Sequence, residues 1–147
     1  TFAIELKHKK LFSGVRALLG LDERIPAGMS KYKVAVLGPV PRDHITTHKG
    51  EVIEKYGCAM HTTVGLSRLL GEEGTVYPVS HLRRRDEAAV KDILGISQID
   101  LNYITSDADQ GDVIRLKFLD QNDRQEKQTA FMNPILPEDV KDLLDCD

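Results

Sequence analysis

The sequence has no tryptophan, only 5% aromatic residues and only two cysteines among its 147 residues. Proteins that bind single-stranded nucleic acid stack the bases on aromatic side chains, so this scarcity argues against such a role. A formal net charge of −3 and a pI near 5.9 give no electrostatic reason to expect a nucleic-acid partner either. We therefore expect no nucleic acid among the partners of this protein.

Long apolar runs and a metal-binding cysteine pattern are also absent from the sequence. No run approaches the roughly 18 apolar residues of a membrane span, and no signal peptide is recognisable. Cys58 and Cys146 lie far apart and lack the close spacing of a zinc site. These features predict a cytoplasmic protein without a membrane partner, whose two thiols stay reduced.

An apolar strand and a proline-containing turn stand out in the first half of the chain. Residues 33–38 are apolar and β-rich, which is typical of a strand buried on both faces of a mostly parallel sheet. Pro39 and Pro41 lack backbone donors, so the chain must leave the sheet there. Asp43 then follows the carboxyl end of a strand, where open α/β sheets bind ligands. Considered alone, that position fits a solvated turn aspartate more simply.

A polar ribbon is predicted after this aspartate. Residues 45–48 and 51–56 alternate around a turn at Gly50, which indicates a small, partly exposed antiparallel pair. His44 and His48 are four residues apart and would share one face of a helix as metal ligands. The β-branched residues between them disfavour a helix, and no third ligand has a recognisable spacing. We therefore expect no metal site at these histidines.

Gly57 stands directly before a predicted helix that Gly71 ends. One apolar helix face is formed by Ala59, Thr63, Leu66 and Leu70. A glycine at the start of a helix lets backbone N–H groups approach a ligand oxygen closely. A simple strand-to-helix turn explains the same glycine equally well.

The order of these motifs resembles the N-terminal part of the ribokinase/PfkB carbohydrate kinases. In that family a strand ends in a Gly-x-x-x-x-Asp pattern, matched here by Gly38 and Asp43, and the acid binds substrate hydroxyls. A Gly-Gly pair then opens a helix that ends in Leu-Gly, matched here by Gly57 and by residues 70–71. The resemblance covers residues 33–94 most closely and implies that Asp43 and Gly57 bind substrate.

Two positions depart from the family pattern while occupying its substrate site. Cys58 stands where the second glycine is usual, and Thr62 stands where an asparagine contacts the sugar. Cys58 adds a side chain where the backbone would approach the substrate, and Thr62 is shorter and has no amide. The resemblance therefore implies a substrate site of Asp43, Gly57, Cys58 and Thr62 that differs from the usual sugar pocket or is degraded.

The next predicted strand, residues 75–80, contains Pro78, which favours an edge or bulged position. The family carries a Gly-x-Asp-x-x-Gly signature after this strand, and residues 83–89 keep its acid, Asp86, without the glycines. We expect Asp86 to cap a helix whose apolar face contains Val90 and Leu94. The three arginines at residues 83–85 either bind an anionic group or form a solvated loop, and the loop is the plainer interpretation.

Three further strands are predicted at residues 101–104, 113–119 and 128–132. The last two form a hairpin that resembles the small β lid over the sugar site in this family. Such lids often pair between subunits, and a homodimer through the lid strands is compatible with the pattern. Pro137 then opens a helix with Val140, Leu143 and Leu144 facing a core. A βαβ progression requires another strand after that helix and none follows, so we expect a truncated fold.

The predicted fold is therefore α/β and ribokinase-like, with a mostly parallel sheet flanked by helices and a small antiparallel β lid. Residues 29–147 would form the N-terminal part of this domain, including the lid strands. Residues 1–28 form a basic helical leader or extension, with apolar residues Leu11, Val15 and Leu18 at helical spacing. For that segment, contact with a membrane surface or a partner, packing on the same domain, and a processed leader or expression remnant all remain open.

Two functions follow from the resemblance. The family places its catalytic base, anion hole and nucleotide site in the later half, so we assign no catalytic, cofactor-binding or metal-binding residue here. The first function is the substrate-binding part of a PfkB-type kinase that phosphorylates a hydroxyl of a sugar or nucleoside, with ATP and Mg²⁺ expected for the full fold. The second is a non-catalytic ribokinase-like protein acting through dimerisation or ligand binding. The lost glycines and asparagine favour the second, and the preserved strand–turn–helix order favours the first, which we prefer.

A dinucleotide-binding domain is a third and poorer interpretation. The strand-to-helix turn carries no Gly-x-Gly-x-x-Gly fingerprint, which such domains use to hold a pyrophosphate at a helix N-terminus. We therefore do not expect a nicotinamide or flavin dinucleotide as a cofactor.

Overall fold

The structure, a computed structural model, describes residues 31–143 of the chain. The predicted leader at residues 1–28, together with Leu144 and Cys146, lies outside the described residues. The strands are β1 (Tyr32–Leu37), β2 (Arg42–Thr46), β3 (Val52–Tyr56), β4 (Gly74–Arg83), β5 (Ile104–Ala108), β6 (Val113–Phe118) and β7 (Arg124–Ala130). The α-helices are α1 (Ala59–Leu70) and α2 (Glu87–Leu94). Short 3₁₀ turns cover Gly71–Glu73, Arg84–Asp86, Pro137–Asp139 and Lys141–Leu143.

The first sheet is parallel and has the strand order β1-β4-β5. The central strand is β4, whereas β1 is an edge strand of this sheet among the described residues. The strand at residues 33–38 was expected to be buried on both faces, and that expectation is wrong for this part of the chain. Most of β1 is only half-buried because it has a sheet neighbour on one side, and Val36 is its buried residue.

Pro78 lies in the central strand, so the predicted edge position is also wrong. On the side of β4 that faces β5, the Val76 N–H donates to the Gln98 carbonyl at 2.8 Å and the Ser80 N–H donates to the Tyr103 carbonyl at 3.3 Å. Alternate residues of a strand point to the same side, so Pro78 falls between these two donors. Pairing with β5 begins only at Ser80, so the missing N–H of Pro78 leaves no ladder bond unmade.

The second sheet has the order β3-β2-β6-β7. The predicted antiparallel ribbon is confirmed as the β2–β3 hairpin, whose turn contains Gly50 at a φ of 84°. The sheet is mixed rather than antiparallel throughout, because β2 and β6 pair in parallel. These strands follow β1 and β5, which run in parallel through the first sheet, so both leave its carboxyl edge in the same direction.

The predicted hairpin of β6 and β7 is present, although β7 begins at Arg124 and is longer than predicted. β5 begins at Ile104, so residues 101–103 are a connection and not a strand. The predicted helix after Pro137 is replaced by two 3₁₀ turns, in which Leu143 is buried as expected.

Helix α1 packs against β4 and β1. The predicted apolar face is confirmed at Ala59 and Leu70, which are buried in the main hydrophobic core. Thr63 is fully buried, and its hydroxyl is satisfied because it donates to the Ala59 carbonyl at 2.8 Å. The helix therefore presents its first turn to the carboxyl end of β1, where the candidate site lies.

Candidate functional site

Asp43, the second residue of β2, lies beside the entrance to α1. Its Oδ1 atom is buried and accepts no hydrogen bond from the described residues. Burial raises the pKa of this carboxyl above its usual value, and the negative charge of Glu126 adds to the rise, while His61 and His44 oppose it. A half-buried carboxylate with an unfilled acceptor is suited to receive hydroxyl donors from a ligand.

Gly57 makes room for this carboxyl group. A Cβ at Gly57 would lie 2.7 Å from Asp43 Oδ2 and 3.6 Å from Pro41 Cγ. The Gly57 N–H donates to the Pro41 carbonyl at 3.1 Å, which fixes the loop against the turn that precedes β2. The absence of a side chain at Gly57 therefore leaves room for the Asp43 carboxyl group.

Cys58 adopts a backbone conformation that normally favours glycine, with φ 49° and ψ −118°. Among the described residues it is the one non-glycine residue with a positive φ. Burial raises the pKa of its thiol, and the charges of Asp43, Asp112 and Glu126 raise it further. The chain thus keeps the backbone shape of a glycine at a position occupied by cysteine.

Thr62 lies on an exposed part of the first turns of α1, and its N–H reaches the Cys58 carbonyl at 3.5 Å. The preceding residue, His61, is the one whose charge acts on Asp43. The sequence-predicted residues Asp43, Gly57 and Cys58 therefore come together, and His61 is a nearby group that sequence reasoning missed. The sequence offered one indication of His61, because it directly precedes Thr62, a residue that the resemblance places in the substrate site.

Asp112 is a second carboxylate that sequence reasoning missed. Its Oδ1 atom accepts hydrogen bonds from Gln128 Nε2 at 2.7 Å and from the Met132 N–H at 3.1 Å. Its backbone carbonyl accepts from the Arg42 N–H at 2.9 Å, which places it beside the start of β2. No sequence pattern indicates this neighbourhood, because it depends on the parallel register of β2 with β6.

Asp86 stands at the N-cap position of α2, as expected, but its side chain makes no capping hydrogen bond. It is 5% exposed and accepts hydrogen bonds from Arg42 Nη1 at 3.0 Å, Tyr56 Oη at 3.0 Å and Arg83 Nε at 2.6 Å. Arg42 and Tyr56 belong to the second sheet, and Arg83 belongs to the first. Asp86 therefore links the two sheets and holds Arg42, the residue immediately before Asp43.

The arginine run divides into two kinds of residue. Arg83 is paired with Asp86 and its side chain is only 10% exposed, so the solvated-loop interpretation is wrong for it. Arg84 and Arg85 are exposed, as a solvated loop requires, and Arg84 pairs with Asp109 at 3.0 Å. The loop interpretation therefore holds for two of the three arginines.

The two histidines with helical spacing lie on different elements. His44 is in β2 and contacts Glu54 Oε1 at 2.8 Å through Nδ1, whereas His48 lies in the exposed β2–β3 turn. Within residues 31–143, no group of three His, Cys, Asp or Glu side chains is placed to hold a metal ion. None of the helices in this same range is long and apolar enough to cross a membrane.

Solved sugar kinases share this fold. An uncharacterized sugar kinase from Pyrococcus horikoshii matches with a TM-score of 0.57 and 18% identity, over 72% of this chain and 39% of that chain. A 2-dehydro-3-deoxygluconokinase from Thermotoga maritima matches with a TM-score of 0.58 and 18% identity, over 78% of this chain and 39% of that chain. No protein-family model matches the sequence, and a search of curated proteins gives no match.

These similarities confirm the predicted fold class. The chain has a partial ribokinase-like α/β fold and spans 39% of the length of each of these two kinases. At 18% identity the likeness concerns the fold, so the substrate has to be argued from the residues of the site.

Proposed function

We propose that this chain is the N-terminal, substrate-binding part of a PfkB-type kinase that phosphorylates a hydroxyl of a sugar or nucleoside with ATP. The observation that carries the proposal is the buried Oδ1 of Asp43, which has no partner among residues 31–143 and lies beside Gly57 at the entrance to α1. An ionised carboxylate is an acceptor only, so donors from substrate hydroxyls would satisfy it. The likeness in fold to two sugar kinases supports this assignment.

The part of the reaction assigned to these residues is binding and orientation. In phosphoryl transfer the protein mainly positions the reactants and stabilises charge around the transferred group. Asp43 would fix the sugar by accepting from its hydroxyls, while Gly57 keeps the carboxyl group in place. Asp86 would act indirectly, because it holds Arg42 and thereby the start of β2.

ATP and Mg²⁺ belong to the full kinase fold in this proposal. The Pyrococcus horikoshii kinase has been solved in complex with ATP, which supports ATP as the phosphoryl donor of kinases with this fold. Residues 31–143 bring together no group of three His, Cys, Asp or Glu side chains that could hold a metal ion, so we assign no Mg²⁺ ligand among them.

A non-catalytic, ligand-binding or dimeric protein is the second candidate. The cysteine at position 58 favours it, because a side chain now occupies a glycine conformation beside the substrate site.

We also propose a homodimer through the second sheet. Ile53, Ile45 and Leu116 share one row of its Asp43-bearing face, and Ile53 is 36% exposed. Sedimentation of the full chain and of Ile53→Lys tests this, since a lysine there should shift the protein towards monomer.

Sugar affinity separates the two candidate functions. Titration calorimetry of the full chain with D-ribose, D-fructose and adenosine should give micromolar-to-millimolar binding for at least one compound. That binding should be lost in Asp43→Ala and retained in Asp92→Ala, an exposed aspartate of α2 used as a matched control. Absence of binding at high ligand concentration would support the non-catalytic protein.

We also propose a cytoplasmic location, which cell fractionation can check.

A further inference from the structure

A cavity of about 210 Å³ lies next to the candidate site. Gly38 and Pro39 line it after β1, Ser80 and His81 line it from β4, and Asp112 lines it before β6. Residues 132–135, which follow β7, complete the lining. The cavity is therefore built by both sheets and begins at the turn that leads into Asp43.

Ser80 is a lining residue of this cavity with a buried hydroxyl. The residue is 1% exposed, and its Oγ atom is buried without a hydrogen-bond partner among the described residues. A buried hydroxyl without a partner costs on the order of 1–3 kcal/mol. Because Ser80 lines the cavity, a polar group bound there would supply the missing hydrogen bond.

Asp112 adds a fixed acceptor to the same cavity. Two donors, Gln128 Nε2 and the Met132 N–H, hold its Oδ1 atom at 2.7 Å and 3.1 Å. His81 adds no free ring nitrogen, because Nδ1 contacts Thr105 Oγ1 at 2.5 Å and Nε2 contacts Asp139 Oδ2 at 3.1 Å. Asp112 therefore favours a group that donates hydrogen bonds, whereas Ser80 and Asn133 can each donate or accept.

Asp112 is the one carboxylate among the described residues that line the cavity, and none of those lining residues is Lys or Arg. Asp112, Asp43 and Glu126 all lie close enough to Cys58 to act on its thiol. Lys55 stands opposite Asp43 in the β2–β3 register but does not line the cavity. A carboxylate or phosphate in this space would face the negative charge of Asp112.

We propose that this cavity binds the part of the substrate beyond Asp43, accepts a hydroxyl or a protonated amine there, and rejects a carboxylate or phosphate. The inference rests on the proposed function, because it places the substrate against Asp43. It separates this chain from the 2-dehydro-3-deoxygluconokinase of similar fold, since a gluconate derivative carries a carboxylate.

Three sugars of similar size and different charge test the inference: D-glucosamine, D-glucose and D-glucuronate. Calorimetric titrations of the full chain at pH 7 and low salt should rank glucosamine tightest and glucuronate weakest, with about a tenfold difference between them. Asp112→Asn keeps the Oδ1 acceptor for Gln128 and Met132, and should reduce that ratio towards one. Ser80→Ala should weaken all three about fivefold, because it removes an uncharged partner.

The titrations distinguish failure of the cavity's charge preference from failure of the substrate site at Asp43. If glucuronate binds as tightly as glucosamine and Asp43→Ala abolishes both, the inference is overturned and the proposed function stands. If Asp43→Ala changes none of the affinities, the proposed function fails and the inference fails with it. If none of the three sugars binds while D-ribose, D-fructose or adenosine does, the inference is overturned and the proposed function stands. If Ser80→Ala alters none of the affinities, the cavity holds water only. Thermal unfolding of every variant, with Asp92→Ala as control, excludes loss of folding as the cause.

Discussion

The Cβ position of Gly57 lies 2.7 Å from Oδ2 of Asp43, closer than two such atoms can approach. The two residues are separated by a hairpin in the sequence, and they meet because β3 returns the chain to the start of β2. Any side chain at position 57 must therefore displace the carboxyl group that we assign to substrate binding.

Gly57→Ala should impair sugar binding more than stability. The displaced atom is the end of a side chain, so Asp43 can rotate away at a modest cost of about 1 kcal/mol, but it then leaves its binding position. We expect about a tenfold loss of affinity with a small change in the free energy of unfolding. Gly65→Ala is the matched control, since no other part of residues 31–143 lies within 4 Å of its Cβ position in α1 and the substitution should stabilise the helix slightly. Equal losses of binding in both variants would contradict this account.

Cys58→Gly should stabilise the protein. A non-glycine residue at φ 49° and ψ −118° carries strain on the order of 1–3 kcal/mol, part of which the greater freedom of glycine in the unfolded chain offsets. We expect a net gain of about 1 kcal/mol in urea unfolding. Cys58→Ala retains the Cβ atom and should give no such gain, so equal stabilisation by both substitutions would show that the backbone is not strained.

Asp86→Ala should be severely destabilising. It removes a buried carboxylate that accepts from Arg42, Tyr56 and Arg83, and it leaves the poorly exposed Arg83 side chain without its charge partner. The expected loss is about 3–5 kcal/mol, or failure to fold. Asp109→Ala breaks the exposed pair with Arg84 and should cost less than about 1 kcal/mol. Similar losses in the two variants would mean that Asp86 does not link the sheets.

Asp43→Asn should stabilise the fold more at pH 7 than at pH 4. Burial raises the pKa of Asp43 above its usual 3.8, so the folded state keeps this proton to higher pH than the unfolded state. Stability linked to the group is thus present at acidic pH and is lost as pH rises through the folded-state pKa. Asparagine removes that loss, and urea unfolding at both pH values measures it. A gain that does not change with pH would contradict the raised pKa.

The elements that could be predicted are those indicated by patterns among residues close together in the sequence. The β2–β3 hairpin follows from alternation around Gly50, and α1 follows from apolar spacing between Gly57 and Gly71. The family resemblance predicted that Asp43, Gly57 and Cys58 share one site, and in the structure these residues lie side by side.

The parts that the sequence could not reveal depend on contacts between distant strands. Asp86 looked like a helix cap because a local pattern cannot show that Arg42, 44 residues earlier, reaches its carboxylate. Pro78 looked like an edge residue because its tolerance in β4 depends on where β5 begins to pair. Asp112 carried no signal, since its neighbourhood follows from the register of β2 with β6.

The most direct test of the central claim is an NMR titration of the ¹⁵N-labelled full chain with D-ribose, D-fructose and adenosine. The account predicts saturable shifts of the Gly57 and Cys58 amide signals with at least one compound, because both residues adjoin the Asp43 carboxyl group. Asp43→Ala should abolish those shifts, and Asp92→Ala should leave them unchanged. Shifts that persist in Asp43→Ala, or no saturable shift with any of the three compounds, would contradict a substrate site at Asp43.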